Sequence, residues 1–496
     1  MRKLFSFSLL LLSLTPLMSM AQDENLTEGL EISAEAQASL SDDKTPLWLN
    51  ANKYGLSSLE KSNGYLRSSA IRPLEADKNR EWKWGYGLDL AVAANYTSSF
   101  IIHQAYGELG WKKMKLTLGA KEQTALMKNM ELSSGAMSCG WNARPIPQAR
   151  LDIDWFDIPR THGWWKWKLY GSYGMTTDGN WQKSFTTRTF RYTGNTLYHE
   201  KALYWKFGKE DSKIPITFEL GLQMQAQFGG KTLNATGRGY HYATTIKHPV
   251  NFNAFLNALL AQGSDETDGV DKNTSGNHMG SWNMRLSYYG ADWNIGARFE
   301  RYFEDQSMMF IQYGIYDHLL GIDVSINKSR LISTITIEHL STTNQSGAIY
   351  HDFTVNIPEK MNGIDNYYNH HLYSGNQHWG QAIGNPLLTS PIYNEDGIIT
   401  FHNNRVKAWH IGLSGDPYNW IHWRALATLT RNWGTYLAPY DDVLKQNHFL
   451  FEVTVKPYFT KYWHFGLSFG LDHGKTVGNN KGFQLTVSRV LSFSSN

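Results

Sequence analysis

The chain has 496 residues, with 47 Lys and Arg against 44 Asp and Glu, 18% charged residues, one Cys, and 19 Trp, 27 Tyr and 23 Phe. A formal charge of +3 with no basic block excludes nucleic acid as the partner, and a lone cysteine excludes a disulfide-stapled secreted module. A mean hydropathy of −0.44 fits a soluble chain, or one whose strands each hide a polar face.

In chain order the first element is an export signal. Arg2 and Lys3 precede the apolar run Leu4 to Met18, and Ser19 and Ala21 supply the small residues that place cleavage before Gln22. Residues 1–21 are thus a signal peptide, and 22–496 are expected to form one outer-membrane barrel domain. Beyond Ala21 no apolar run reaches the ~20 residues of a spanning helix.

From a first strand near Leu30 to Leu40 onward, apolar and polar residues alternate with a period of two. Asp152 and Asp154 are flanked by Leu151, Ile153 and Trp155. Ile216, Phe218, Leu220, Leu222 and Met224 alternate with Thr217, Glu219, Gly221 and Gln223; Trp293, Ile295, Ala297 and Phe299 alternate with Asn294, Gly296, Arg298 and Glu300. Trp463 to Leu471 repeats the pattern, and Phe483, Leu485 and Val487 give Gly482 to Phe493 an apolar closing row. Such alternation places one set on each face of a sheet. A soluble sandwich shares it, but segments of about ten residues with mid-strand charge suit a bilayer-crossing strand. Aromatics near strand ends (Trp82, Trp84, Trp111, Trp164, Trp165, Trp420, Trp423, Tyr462, Trp463) suit girdles at both interfaces. The expected fold is all-β: a closed antiparallel transmembrane β-barrel of about 18 strands, an even number that lets the first and last strands pair.

The connections alternate in length. Glu75 to Arg80, Gly208 to Lys213 and Gly415 to Tyr418 read as short turns, whereas Glu122 to Pro147, Thr176 to His199, Gly229 to Gly280 and Thr342 to Asn403 read as long loops on the extracellular side. Two stretches, Leu132 to Pro147 and Gly363 to Leu388, are too apolar and aromatic for solvated tips, and a lumen is the nearest shelter, so they are expected to plug it in part. The plug's outer surface could form a carbohydrate platform. Trp141, Tyr367, Tyr368 and Trp379 would offer flat faces, and Asn142, Arg144, Asn369, Asn376 and Gln377 would bond hydroxyls and carboxylates.

The chain carries no nucleophile elbow, phosphate-binding loop, zinc-protease or dinucleotide motif, so no catalytic residue and no cofactor is expected. His370 and His371 point to opposite sides of an extended segment and make a poor metal chelate. Cys139 reads as a tolerated thiol, and Gly263 to Gly276 as a polar loop tip. Two rival functions remain open. Lys166 and Lys168, on the face opposite Trp165 and Trp167, suit a porin-like diffusion channel, and a lumenal Ser, His and acid could make a lipid- or glycan-modifying enzyme.

The stretches PLWLNANKYG (Pro46 to Gly55), QAYGELGW (Gln104 to Trp111), LSSGAMSCGWNARPIPQ (Leu132 to Gln148), GNHMGSWNMRL (Gly276 to Leu286) and YYNHHLYSGNQHWGQAIGNPL (Tyr367 to Leu387) resemble the Wzi family of capsule assembly proteins in its Bacteroidetes-type form. That resemblance implies an outer-membrane barrel with a blocked lumen. It also implies a lectin-like, non-enzymatic role in tethering capsular or exopolysaccharide, with outer-membrane lipid around the barrel. Enterobacterial members carry a helical bundle at the periplasmic mouth. Here Gln22 to Gly64 reads as one strand and a Trp48-containing loop.

Overall fold

The computed structural model describes residues 27–493 except 79, 187–189, 238–239, 262–275, 305–308, 310–314, 352–360 and 461. The expected signal peptide and nearly all of the Gly263 to Gly276 loop lie outside the described residues. Eighteen strands make one sheet. They are β1 (Glu31–Ser41), β2 (Ser62–Arg72), β3 (Trp82–Ala94), β4 (Phe100–Trp111), β5 (Met114–Ala120), β6 (Gln148–Asp157), β7 (Trp165–Met175), β8 (Leu197–Gly208) and β9 (Ile216–Phe228). The second half comprises β10 (Asn277–Tyr289), β11 (Trp293–Phe303), β12 (His318–Ile326), β13 (Thr334–Ser341), β14 (Val406–Tyr418), β15 (Ile421–Gly434), β16 (Pro439–Val455), β17 (Trp463–Gly474) and β18 (Asn480–Ser492).

Each strand pairs antiparallel with the next, and β1 also pairs with β18, Glu31 opposite Ser492 and Ser41 opposite Gly482. The sheet therefore closes and leaves no open edge, as a lipid-embedded sheet requires. The long connections all leave odd strands and share one rim with three short ones, β3–β4, β15–β16 and β17–β18; those leaving even strands are all short and share the other rim with the start of β1 and the end of β18. The outward face carries Leu429, Leu467, Leu485 and Phe483, each more than half exposed. Lipid covers such side chains with a gain of about 1.5–3 kcal/mol apiece. A closed barrel clad in this way is an outer-membrane protein.

Three expectations change. All nine aromatic positions proposed for two girdles fall at the short-turn rim, where Trp82 stacks on Trp111, Trp165 on Phe207, and Trp463 on Phe465. Gly415 to Tyr418 is not a turn but the end of β14, where the ladder shifts register before the Asn419–Trp420 turn. A similar shift between Ile153 and Phe156 in β6 breaks the alternation around Asp154. Trp155 then packs against Met127, Tyr170, Ala202 and Tyr204 inside the barrel, and Asp154 pairs with Lys168 at 2.7 Å.

The β9–β10 connection is more than a solvated loop. Its helix Phe252–Leu260, capped by Asn251, lies on the outer wall over Tyr173, Leu197 and Phe228, with Ala254 and Ala258 inward. Lys201 reaches from β8 to the carbonyls of Ala258 and Leu259, a cation at a helix C-terminus. Phe252, Leu259 and Leu260 remain exposed and extend the apolar outer wall.

Candidate functional site

Inward-facing strand residues are polar and charged, and they do not face open water. Three long connections fold into the lumen: Asp42 to Lys61, Lys121 to Pro147 and, in residues 364–405, the one between β13 and β14. The first carries one helical turn, Leu47–Asn50. Its Trp48 indole donates to Thr428 Oγ1 at 3.0 Å on β15, and Leu47 N–H donates to Asp472 Oδ2 at 3.0 Å on β17. The turn packs so closely on β17 that a Cβ at Gly470 would meet Leu49 Cγ at 2.8 Å.

The second connection docks on two buried carboxylates of the opposite wall. Glu300 on β11 pairs with Lys128 at 2.6 Å and accepts from Met137 N–H at 3.0 Å. Glu338 on β13 accepts from Ser133 Oγ and Ser134 N–H at 2.5 and 2.7 Å, and Arg298 closes on it at 2.6 Å. His410 on β14 bonds Leu132 O at 2.7 Å. The loop's backbone groups thus find wall side chains in place of a ladder, as buried polar groups must.

The third connection fills the centre. Tyr367 and Tyr368 are 1% and 0% exposed and meet Tyr302 of β11 edge-on. Tyr367 donates to Asp317 at 3.1 Å. The Tyr368 hydroxyl donates to Met137 O and accepts from Asn385 N–H at 2.8 Å, tying the second connection to the third. A Cβ at Gly384 would strike that hydroxyl. Asn142 also bridges, donating to Ala382 O at 2.9 Å and accepting from Asn52 N–H at 2.9 Å. The expected inward plug is present.

Burial reassigns most of the expected platform. Trp141, Asn142, Tyr367 and Tyr368 are interior, with no face open to a sugar. Asn376 and Gln377 are buried too, held by Gln225 and Asp178. Asn369 is half-buried with its amide used locally: it accepts from Thr400 Oγ1 and Phe401 N–H and donates to Asn366 and Phe401 O. Trp379 and Arg144 do come together. The Arg144 guanidinium lies 4.4 Å from the centre of the Trp379 ring, within cation–π range, and burial lowers its pKa to about 10, so it stays charged at neutral pH.

Trp379 owes its position to a two-residue hairpin. Gln377–His378 pairs with Gln381–Ala382, and both turn residues, Trp379 and Gly380, have positive φ, at 55° and 79°. Such mirror-image turns favour Asn-Gly; a bulky residue at the first position is strained. Asp178 accepts the Trp379 N–H at 3.2 Å, and Gln377 Oε1 accepts that of Gly380 at 2.8 Å. Below the turn His378 Nε2 accepts Thr177 N–H at 3.1 Å, leaving Nδ1–H to donate to Arg144 O at 2.9 Å; burial lowers its pKa and keeps the ring neutral. The half-exposed indole donates to Thr177 Oγ1 at 3.2 Å, and Arg144 Nη2 to Thr97 Oγ1 at 2.6 Å. Sequence reading missed Thr97 and Thr177: it weighed long loops, and Thr97 lies in the short β3–β4 connection.

Toward the short-turn rim lies a chamber of about 340 Å³ lined by Lys53, Arg67, Arg424, Glu35, Glu122 and Glu452, among others. Beside it Asp89, His103 and Glu122 converge, the one cluster of this kind among the described residues. Arg67 already bridges its two carboxylates, at 2.5 and 3.3 Å. The His370 and His371 rings lie against each other at a tilt of 31°, and Cys139 is buried with its thiol pKa pushed up by that burial. Lys166 and Lys168 sit opposite the outward Trp165 and Trp167 as expected, paired with Asp157 and Asp154.

Among solved structures the chain is similar to Wzi of Escherichia coli, described as an outer membrane protein involved in group 1 capsule assembly and a carbohydrate-binding β-barrel. The TM-score is 0.56 at 12% identity, over 95% of this chain and 86% of that one. The chain folds as a Wzi-like barrel. OprD and OpdL of Pseudomonas aeruginosa align at TM-scores of 0.45 and 0.46, each at 9% identity over 94% of this chain, covering 96% and 99% of theirs. No family model and no curated relative matches the sequence. Among the described residues no helical bundle lies at the short-turn rim; the α-helices Leu47–Asn50, Gly179–Phe185 and Phe252–Leu260 all belong to connections at the other rim.

Proposed function

We propose that this protein is an occluded outer-membrane barrel that holds capsular or exopolysaccharide at the cell surface and assists capsule assembly, without making or breaking a glycosidic bond. One observation carries the reading. In a plug that seals Trp48, Trp141, Tyr367, Tyr368, Tyr373 and Phe401 inside, a strained turn holds the Trp379 indole half-exposed at the outer rim, backed by Arg144 and flanked by two threonine hydroxyls. Strain of this sort persists where the surroundings enforce it, and it clusters at binding sites. An indole face takes sugar C–H groups, while the guanidinium and hydroxyls suit carboxylates and hydroxyls. The fold shared with a carbohydrate-binding barrel and the sequence resemblance to the Wzi family agree with this reading.

Trp379→Ala should leave barrel insertion and melting unchanged and reduce retention of the cell's own surface polysaccharide by about tenfold, the loss of roughly 1.4 kcal/mol. Retention equal to wild type at normal surface levels would remove Trp379 from the site. A diffusion channel is the second reading, favoured by the charged chamber beneath the plug; it requires the plug to leave.

A further inference from the structure

The upper boundary of the outer wall carries charge where the lower boundary carries Trp. On β14, β15 and β16, Lys407 stands directly opposite Arg431, and Arg431 directly opposite Lys445. Lys475 comes next, just past the end of β17, its N–H donating to Lys445 O at 3.2 Å. All four side chains are exposed, and in the strands they share the outward face with Trp409, Leu429 and Phe449. Like charges directly opposite across a ladder destabilise it. The lumenal cations of the same strands are neutralised, as where Arg424 meets Glu452 at 2.9 Å, but among the described residues these four have no carboxylate within ion-pair distance. Asp441 and Asp442 lie farther out along β16.

Height identifies the occupant. From Val455 at the short-turn rim to Lys445 is ten residues of β16, roughly 33 Å along the strand at ~3.3 Å per residue. At a tilt of 35–45° that is about 25 Å along the barrel axis, the height of a barrel's apolar band. Eleven residues, including the register shift before Tyr418, separate Tyr418 from Lys407 on β14. The cations therefore form a row along one side of the wall, one hydrocarbon thickness above the aromatic rim, immediately over lipid-facing side chains and pointing sideways.

We propose that Lys407, Arg431, Lys445 and Lys475 form a binding row for the phosphorylated headgroups of lipid in the outer leaflet. A phosphate seated between neighbouring cations would accept charge-assisted hydrogen bonds from both and turn their repulsion into attraction. The acyl chains of the same lipid would lie along Trp409, Leu429 and Phe449.

The test uses the full-length barrel in neutral detergent, with bisphosphoryl lipid A and its dephosphorylated form as probes and native mass spectrometry as readout. Wild type should retain the phosphorylated form at least about tenfold better, and the quadruple variant K407Q/R431Q/K445Q/K475Q should lose that preference. The variant should melt at the same temperature as wild type or higher when no lipid is present, because the like charges are gone. The control K112Q/K113Q, altered on the opposite rim, should keep the preference. The proposal is overturned by a variant that discriminates as well as wild type, or by a wild type that does not discriminate. It also fails if inorganic phosphate alone displaces the lipid, or if the row retains acidic polysaccharide in preference to lipid A.

Discussion

The wall and the plug of this barrel meet the same requirement, that buried backbone polar groups find partners, by different means. In the wall the N–H and C=O groups are taken by neighbouring strands except where the ladder shifts register, so side chains are free to follow an outward–inward alternation between those shifts. In the plug, ladders are confined to short pairs such as Gln377–His378 with Gln381–Ala382. Many of its other N–H and C=O groups bond to side chains projecting inward from the wall: the carboxylates of Glu300, Glu338 and Asp472 and the imidazole of His410. The wall is specified by a repeating pattern, and the plug by single residues far apart in the chain. Errors in the two should therefore cost differently. A wall side chain can change within the limits set by lipid, whereas a plug anchor leaves an unpaired charge behind.

The largest effect expected is at the anchors. Glu300→Ala with Glu338→Ala strands Lys128 in the interior and leaves Arg298 with Asp323 alone, and breaking a buried pair as at Lys128 costs about 3–5 kcal/mol. The lost stability should appear as trypsin cleavage at Lys128 in a barrel that still inserts. Resistance equal to wild type would mean the plug is held elsewhere. A smaller loss, of about 2–4 kcal/mol, is expected for Leu467→Arg, which places a charge against lipid; urea unfolding in micelles measures it, and a neutral result would put Leu467 out of the membrane. Tyr368→Phe should cost less again, about 1–3 kcal/mol, because Met137 O and Asn385 N–H each lose a partner. Its signature is a looser plug in an unchanged wall, seen as faster amide exchange confined to residues near Met137 and Asn385. Exchange that rises across the strands would show the two regions to be one cooperative unit.

The contrast explains what was legible in the sequence. Period-two runs such as Ile216 to Met224 gave the face of each residue directly, because lipid rewards one face and the lumen the other. Where the ladder slips, at Ile153 to Phe156, the rule fails and Trp155 turns inward. The girdle was half right for the same reason: strand ends are visible in a sequence, but which rim they reach depends on counting every strand before them. For the plug, composition was enough to send Leu132 to Pro147 and Gly363 to Leu388 indoors. It could not say which aromatics would stay outside. Tyr367, Tyr368 and Trp379 look alike in a loop without periodicity; Tyr368 has a positive φ as well and is buried, and what sets Trp379 apart is its place at a hairpin tip held by Asp178, about two hundred residues away in the chain.

Whether the lumen is sealed can be read by single-channel recording in planar bilayers, on wild type and the Glu300→Ala, Glu338→Ala variant side by side. A plug held by those carboxylates predicts silence from wild type and openings from the variant. A steady, large conductance from wild type would mean that the lumen is a passage, and both the seal and the surface-holding role inferred from it would fall.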